Sequence, residues 1–398
     1  MISLNQARGI VAAQLENIKL PTERIPVCQA AGCILADDQL SVLDIPPFDK
    51  SAMDGFAIPA GDQCDEYYIL ETVAAGDMPK QKLAAGTAVK VMTGAPVPEG
   101  TAKVVMIEKT SEADGKVRIV TPDSARHICC KGEDIRWGDV VLQAGTILGP
   151  ADIGNLISVG ITNINVPRRV QISIISTGNE IVDCREELVA GKIMNANGPM
   201  LSALCRRYGL DVVSERIVPD ELDMTVASLK EAMEQADIVV LSGGVSVGQF
   251  DFVAEAMKRA GLTIHFDRLA VKPGKPMTFA SSDGKAVMGL PGNPVAVYLM
   301  FHLFVLYAAR ILSDRKTELV LTSLPLGFEF HRRKADRMAF IPCRLGRNGS
   351  LAKIDYHGTA HLMALSGSDG SFVVPKAITQ LSAGESVDFI GFYEGVRC

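Results

Sequence analysis

The spacing of hydrophobic and polar positions changes along the chain and predicts three kinds of structure. Residues 3–18 carry apolar side chains at helical spacing behind a potential N-cap, which predicts an amphipathic helix. Residues 45–137 are rich in proline, glycine and short alternating runs, which is typical of a β domain inserted within another domain. From residue 169 to about 316, apolar strands alternate with helices, so we expect a doubly wound, mostly parallel sheet. Residues 317–398 return to alternation with glycines and predict a small β barrel or sandwich.

The boundaries of the α/β elements follow from the same pattern. Residues 237–241 (DIVVL) form a continuous apolar run, as expected for a strand buried on both faces. Asn293 is a suitable N-cap and Pro294 a suitable first residue for an apolar helix that runs to about residue 312. The other predicted strands are 170–176, 211–218 and 286–290, and the other predicted helices are 199–208, 221–236 and one beginning near Asp251.

Three short loops in this region each lie where a βα unit would present them: SGG (242–244), KPGKP (272–276) and LPGNP (290–294). Gly243 and Gly244 allow backbone N–H groups to approach a ligand closely. Each of Lys272 and Lys275 precedes a proline, which favours extended chain and lets both ammonium groups point at one anion. The loops therefore predict an anion site at the carboxyl ends of parallel strands. The alternatives are ordinary turns for the glycines and lysines and a simple helix start for Asn293.

Acidic residues follow three of the predicted strands. Glu180, Asp220 and Asp251 would open on the same edge of a parallel sheet. Carboxylates beside a phosphate repel it unless a hard cation bridges them, so Mg²⁺ is implied. The alternative for Asp220 and Asp251 is simple helix capping. Asp54 and Asp134 lie in irregular loops, where Asx-turns are the default explanation.

Composition narrows the functional classes. The 398 residues exceed one ordinary core and predict two to four domains, and the net charge of −6 argues against general nucleic-acid binding. Nine cysteines without a CxxC pair indicate a reduced, cytoplasmic protein. We expect no membrane span, because the apolar stretch 295–312 carries His302 and Arg310 and follows a capped start. His265 and His302 lie among apolar residues and are expected to be hydrogen-bonded core histidines.

Seven motifs occur in a fixed order: PPFDKSAMDGFA, TGAPVP, GEDIRWGD, ISTGNE, SGGVSVGQFD, KPGKP and LPGNP. With them the chain resembles the MoeA family and the gephyrin E domain, the molybdopterin molybdenumtransferases of molybdenum-cofactor synthesis. The resemblance implies a linking domain (1–44 and 138–168), an inserted β domain (45–137), a MogA-like α/β domain (169–316) and a C-terminal β barrel (317–398). It also implies a homodimer that binds adenylated molybdopterin, releases AMP and places molybdate on the dithiolene. A MogA-like adenylyltransferase and molybdoenzyme apoproteins are candidate partners.

The resemblance also implies roles for individual residues. Asp54, Thr93 and Asp134 would face the α/β domain of the other subunit. Glu180, Asp220 and Asp251 would serve metal binding and hydrolysis, with Asp220 and Asp251 as Mg²⁺ ligands, and Lys272 and Lys275 would bind the anion. Binding of the pterin and the oxyanion would fall to Ser242, Gly243, Gly244, Pro291, Asn293, Pro294, Arg337 and Ser366. Ala296 stands where the family usually has a serine. Three readings remain open beside a molybdate transferase: a pterin-binding scaffold, a tungstate-specific paralogue and a different nucleotide hydrolase.

Overall fold

The computed structural model describes residues 1–62, 64–122, 124–244, 252–315 and 318–392. The chain divides into two compact units, Thr22–Pro167, and Met1–Pro21 together with Arg168–Cys398. The described residues contain eight α-helices: α1 Leu4–Leu15, α2 Pro150–Ser158, α3 Asn197–Arg207, α4 Leu222–Gln235, α5 Phe252–Arg259, α6 Pro294–Met300, α7 Leu306–Leu312 and α8 Met363–Ser366. Short 3-10 turns lie at Val27–Gln29 and Ile107–Lys109, and a π-helical turn, Phe301–Val305, joins α6 to α7.

The unit 22–167 is a β structure with one helix. Its main sheet has the order β7-β4-β6-β5-β9-β8 and buries Phe56 and Tyr67 on one face and Val89 and Val104 on the other. Strands β1 and β12 pair separately, and α2 packs beside them over Leu156. The strands are β1 Thr22–Pro26, β2 Gln39–Leu40, β3 Lys50–Ser51, β4 Gly55–Pro59, β5 Glu66–Val73, β6 Thr87–Val91, β7 Thr101–Met106, β8 Thr110–Ala113, β9 Lys116–Ile119, β10 Ile128–Cys129, β11 Val140–Leu142 and β12 Asn163–Pro167.

The α/β part of the other unit is built on one six-stranded sheet. Its strands are β13 Gln171–Thr177, β16 Asp211–Val218, β17 Ile238–Ser242, β18 Thr263–Phe266, β20 Thr278–Ser282 and β21 Lys285–Leu290, with the short strands β14 Ile181–Val182, β15 Ile193–Met194 and β19 Val271–Lys272 outside it. The order is β16-β13-β17-β21-β20-β18, and the first four strands are parallel. The predicted doubly wound, mostly parallel sheet is confirmed.

One edge of this sheet is antiparallel, which differs from the predicted repetition of βα units. Strands β20 and β21 form a hairpin in which Ser282 pairs with Lys285. The two residues between them, Asp283 and Gly284, have φ values of 47° and 78°. An Asp-Gly pair with positive φ at both positions is the preferred two-residue hairpin turn, so the sequence carried the signal for this reversal.

The C-terminal part is a mostly antiparallel β structure. Its main sheet has the order β19-β24-β26-β28-β22, and β25 pairs with the C-terminal end of β24, beyond the residues that pair with β19. The strands are β22 Thr322–Pro325, β23 Phe330–His331, β24 Met338–Leu345, β25 Leu351–Lys353, β26 Gly370–Val374, β27 Gln380–Leu381 and β28 Ser386–Gly391. Leu326, Phe372 and Phe389 lie in its core. This agrees with the β character predicted for the tail, apart from the short helix α8 between β25 and β26.

The lysine loop was expected after a strand of a βα unit, and the structure corrects that position. β19, which ends at Lys272, leaves the α/β sheet and pairs in parallel with β24 of the C-terminal sheet. The loop then leads to β20 and the hairpin, not to a helix. Lys272 is therefore in extended chain as predicted, whereas Lys275 lies in the turn that follows.

The helical segment from Pro294 to Leu312 is mostly buried. Asn293 and Pro294 occupy the predicted N-cap and first helical positions. The segment is long and apolar enough by composition to cross a membrane, yet 83% of it is buried inside the protein, as in a core helix. Helix α1 has Ser3 as its N-cap and lays Arg8 over the ring of Tyr307, 3.7 Å from the centroid.

Candidate functional site

A cavity of about 370 Å³ lies at the carboxyl ends of the parallel strands. The loops after β13, β16, β17 and β21 form its walls, together with the segment that leads into α3. In an open α/β sheet this edge is where ligands bind. The predicted site residues in its lining are Glu180, Asp220, Ser242, Gly243, Gly244, Pro291, Asn293 and Pro294.

The glycine turn after β17 depends on the absence of side chains. Gly243 and Gly244 have φ values of +99° and +64°. A Cβ on Gly243 would lie 2.4 Å from the carbonyl oxygen of Thr177, a backbone atom that cannot move aside. A Cβ on Gly292 would lie 3.7 Å from the Cα of Gly243, so the SGG and LPGNP loops touch. Close approach of backbone to backbone, and of backbone to a ligand, therefore requires glycine here.

Two carboxylates line the same cavity. Asp220 accepts a hydrogen bond from the backbone N–H of Asn179 at 3.3 Å, and its own N–H donates to Asn179 Oδ1 at 3.1 Å. This reciprocal pair ties the loop after β16 to the loop that carries Glu180. The N-cap position of α4 belongs to Glu221, so the Asp220 carboxylate is not the helix cap. Asp251 lies outside the described residues.

The metal-ligand set is incomplete within the described part of the chain. No group of three or more His, Cys, Asp or Glu side chains there is close enough to hold a metal ion. Mg²⁺ nevertheless needs few protein ligands, because it keeps several waters and is bound through one or two carboxylates plus substrate phosphates. Asp220, on the cavity wall, fits that requirement as one such carboxylate.

The lysines do not join the glycine turn. Lys272 and Pro273 line a second cavity of about 470 Å³, whose wall also includes Lys353 and the rings of Phe330 and Tyr356. Lys275 is half-buried and lines neither cavity, although the adjacent Pro276 borders the first. The expected convergence of glycines, carboxylates and both lysines on one crevice is thus only partly seen.

Arg337 and Ser366, the two predicted site residues in the C-terminal β structure, have different surroundings. Arg337 comes close to the lysine strand, since its Nη1 donates to the carbonyl oxygen of Val271 at 3.4 Å. Ser366 is exposed at the end of α8. Arg337 immediately precedes β24, which pairs with the strand that ends at Lys272, and Ser366 is on a separate short helix.

In the unit 22–167, the structure brings together Asp54 and Thr93, which are 39 positions apart. The Thr93 N–H and hydroxyl donate to Asp54 Oδ1 at 2.6 and 2.8 Å. These two bonds, the backbone one first, hold the pKa of Asp54 below its usual value. Asp54 is therefore an ionised acceptor at neutral pH. Asp134 is exposed, and its backbone N–H donates to the carbonyl oxygen of Ile45 at 3.0 Å.

Three family models match segments that together span most of the chain. Residues 2–160 match the MoeA N-terminal region (domain I and II), residues 173–310 a probable molybdopterin binding domain, and residues 323–392 the MoeA C-terminal region (domain IV). A molybdopterin molybdenumtransferase of Staphylococcus epidermidis is 33% identical over 379 residues, which cover 89% of this chain and 90% of that protein. The chain belongs to the MoeA family.

Other MoeA relatives agree in sequence and in fold. A molybdopterin molybdenumtransferase of Staphylococcus aureus is 38% identical over 294 residues, 72% of this chain and 70% of that protein. The crystal structure of a molybdopterin biosynthesis MoeA protein from Pyrococcus horikoshii superimposes with a TM-score of 0.86 at 28% identity, covering 99% of this chain and all of that one. The first cavity lies within the part that matches the molybdopterin-binding family model.

Two polar side chains in this MoeA cavity were not predicted from sequence. Thr177 Oγ1 and Asn197 Oδ1 are buried and have no hydrogen-bond partner in the described part of the chain. Both residues line the first cavity. The sequence signal was weak: Thr177 is the last residue of a strand before Gly178, and Asn197 opens a helix, where asparagine is common for capping alone.

Proposed function

We propose that this protein inserts molybdenum into adenylated molybdopterin and releases AMP, completing the synthesis of the molybdenum cofactor. The observation that carries the proposal is the first cavity, in which two glycine-containing loops and two carboxylates meet at the carboxyl edge of a parallel sheet. It is supported by relatives that are named molybdopterin molybdenumtransferases.

In this mechanism the glycine turns bind the phosphate groups. The backbone N–H groups around Gly243 and Gly292 approach the anion without side chains in between. Glu180 orients a water molecule for attack on the phosphoanhydride. The water oxygen bonds to phosphorus and gives a proton to the Glu180 carboxylate, the bridging P–O bond breaks, and AMP and molybdopterin separate.

Asp220, together with Asp251, would hold Mg²⁺. The ion would supply Lewis-acid polarisation of the phosphoanhydride and neutralise charge between the carboxylates and the phosphates. The reciprocal hydrogen bonds between Asp220 and Asn179 support this role, because they orient the carboxylate before the ligand arrives.

Lys272, Lys275 and Arg337 would hold the divalent oxyanion close to the dithiolene. A fixed cationic group raises the local concentration of molybdate and acts by position, not by proton transfer. The contact between Arg337 and the strand that ends at Lys272 supports a shared role for Arg337 and Lys272.

We further propose that the working enzyme is a cytoplasmic homodimer. Asp54, Thr93 and Asp134 of one copy would then complete the α/β site of the other. Two observations support this: the ionised Asp54 carboxylate and Thr93 form an exposed, hydrogen-bonded pair, and the eight cysteines at described positions are all free thiols.

The test is a single-turnover assay with purified protein, adenylated molybdopterin, Mg²⁺ and molybdate. We expect release of AMP in step with formation of the molybdenum cofactor, and a loss of about 100-fold or more in rate for Asp220→Asn. Chelation of Mg²⁺ should have a similar effect. A parallel reaction with tungstate measures which oxyanion is preferred.

Stoichiometric binding of adenylated molybdopterin without AMP release would contradict the enzyme and favour a pterin-binding scaffold. Equal hydrolysis of unrelated dinucleotides would instead favour a general nucleotide hydrolase. Ser282→Ala, a change on the far hairpin of the sheet, is the matched control and should leave the rate unchanged.

A further inference from the structure

Two buried polar atoms without a partner among the described residues belong to side chains that line one cavity, and an unpaired buried polar atom is costly. Thr177 is only 4% exposed, and its Oγ1 has no partner within the described residues. Asn197 is half-buried as a residue, and its Oδ1 atom is also buried without a partner there. Buried polar atoms are nearly always hydrogen-bonded, so each exception needs a reason. A ligand that enters the cavity would satisfy both atoms.

The Thr177 hydroxyl lies beside the glycine turn. Cβ atoms built on Gly243 and Gly244 would lie 3.0 and 2.9 Å from Thr177 Oγ1. The hydroxyl thus occupies the same narrow space that the glycines leave open. A group bound to the backbone N–H groups of the turn would be an acceptor, and a hydroxyl can donate to that same acceptor. Thr177 is therefore suited to a phosphate oxygen.

Asn197 has the opposite requirement. Its Nδ2 donates to the carbonyl oxygen of Gly292 at 2.8 Å, which fixes the orientation of the amide. Oδ1 then has no donor among the described residues, and it can only be satisfied by an N–H or O–H group. The bond to Gly292 also attaches Asn197 to the LPGNP loop on the cavity wall.

We infer that Thr177 and Asn197 are the two recognition groups of this cavity, Thr177 donating to a phosphate oxygen and Asn197 accepting from an N–H group of a heterocycle. The ligand class is a phosphorylated ring with its own N–H donors, as in a phosphorylated pterin. The inference rests on the proposed function and deepens it, because it says that Thr177 binds the phosphate end of the ligand and Asn197 the ring.

The experiment measures equilibrium binding of hydroxymethylpterin phosphate and of hydroxymethylpterin to the full chain. Thr177→Val keeps the shape of the side chain and removes the hydroxyl. We expect it to weaken binding of the phosphorylated pterin by about tenfold or more, with less than about a twofold change for the unphosphorylated pterin. Thr177→Ser should restore most of the affinity.

Stability separates recognition from a structural role. The Thr177 hydroxyl is desolvated and has no partner in the part of the chain that the structure describes, so Thr177→Val should leave the melting temperature unchanged or raise it. A hydroxyl with a hidden structural bond would instead lower the melting temperature when removed. The expected combination is weaker binding with equal or higher stability.

Asn197 is tested with two variants against the unphosphorylated pterin. Asn197→Ala loses the acceptor and the bond to Gly292, and should weaken binding by about tenfold. Asn197→Asp also loses the bond to Gly292 but keeps an acceptor, so it should bind within about threefold of the wild type. Using the ligand without phosphate avoids charge repulsion by the new carboxylate.

The outcomes are distinguishable. Wild-type protein that binds neither pterin would overturn the proposed function and this inference together. Wild-type binding with unchanged affinity in Thr177→Val would overturn the inference alone and mean that water satisfies the hydroxyl. Equal losses for Asn197→Asp and Asn197→Ala would overturn the assigned role of Asn197 and indicate that it only positions the loop.

Discussion

The glycine loops and the lysine loop look alike in sequence and differ in the fold. SGG (242–244) and LPGNP (290–294) each follow a strand of the parallel sheet and meet in one cavity. KPGKP (272–276) follows a strand that pairs with the C-terminal sheet, and its first lysine lines another cavity. Parallel topology brings loops together automatically, because the carboxyl ends of parallel strands share an edge. A loop attached to a different sheet has no such constraint.

We expect alanine to be tolerated less well at Gly243, in the SGG turn, than at Gly274, in the lysine loop. Gly243→Ala places a Cβ 2.4 Å from a backbone oxygen at a φ of +99° and should cost about 4 kcal/mol of unfolding free energy. Gly274→Ala, in the lysine loop, meets the flexible end of Met300 and should cost only about 2 kcal/mol. Urea denaturation of both variants measures the difference.

Gly209→Ala is the matched control, because Gly209 has a φ of +69° and nothing within 4 Å of the added Cβ. It isolates backbone strain, which should be about 1 kcal/mol. A cost for Gly243→Ala no greater than that for Gly209→Ala would mean that the SGG turn can open away from Thr177, and the cavity would not have the rigid wall described above.

The next largest effect concerns His302, in the middle of the helical segment that begins at the LPGNP loop. Its Nδ1 contacts the carbonyl oxygen of Tyr298 at 2.9 Å, and its ring packs against Phe392, with centroids 5.0 Å apart. Burial lowers the pKa of His302 to about 4, from 6.5 for a free histidine. The folded state therefore keeps the ring neutral at a pH where the unfolded chain binds a proton.

Stability should consequently fall as the pH drops from about 6.5 towards 4, and His302 should have no such effect above that range. A difference of about 2.5 between the two pKa values corresponds to a loss of about 3 kcal/mol at the lower limit. Urea denaturation across this range should show a smaller slope for His302→Gln. His331→Gln, which replaces an exposed ring, is the control. An equal decrease of the slope in that variant would mean that the pH dependence does not come from the burial of His302.

Local elements of the fold were predictable, and long-range pairing was not. The strand 211–218, the helix 221–236 and the Asn293-Pro294 helix start were predicted to within a residue or so, because their periodicity and caps are local. The parallel pairing of β19 with β24 joins positions 271 and 338, and neither short stretch indicates a partner. The π-helical turn at 301–305 likewise lies in an apolar run without any local marker.

The site was predictable to the same degree. Glu180 and Asp220 line one cavity because both follow parallel strands, which the α/β pattern indicates. Thr177 and Asn197 could not be selected from sequence, since what distinguishes them is an unpaired atom in the folded structure. The contact of Asp54 with Thr93 joins two separate loops of the β unit and carries no periodic signal.

The two cavities should also respond to different ligands. Lys272→Ala removes a cation from the second cavity, so we expect the KM for molybdate to rise by about tenfold, which corresponds to about 1.4 kcal/mol. Binding of hydroxymethylpterin phosphate should change by less than about twofold. Lys376→Ala, which removes an exposed lysine of the C-terminal β structure, is the charge-matched control. Weaker pterin binding in Lys272→Ala would show that the two cavities act as one site.

The smallest expected effect tests how the LPGNP loop is held. The Asn293 side chain makes no capping bond to its own helix; instead its Nδ2 donates to Thr359 Oγ1 at 2.7 Å, and the N–H of Val295 donates to the carbonyl oxygen of Thr359 at 3.1 Å. A loop of the first cavity is thereby attached to residue 359, which lines the second. Asn293→Ala and Thr359→Val should each cost about 1 kcal/mol, and the double variant should cost about the same as either one. Additive costs in urea denaturation would mean that the two side chains act independently, and the LPGNP loop would then be attached to residue 359 only through the backbone bond from Val295.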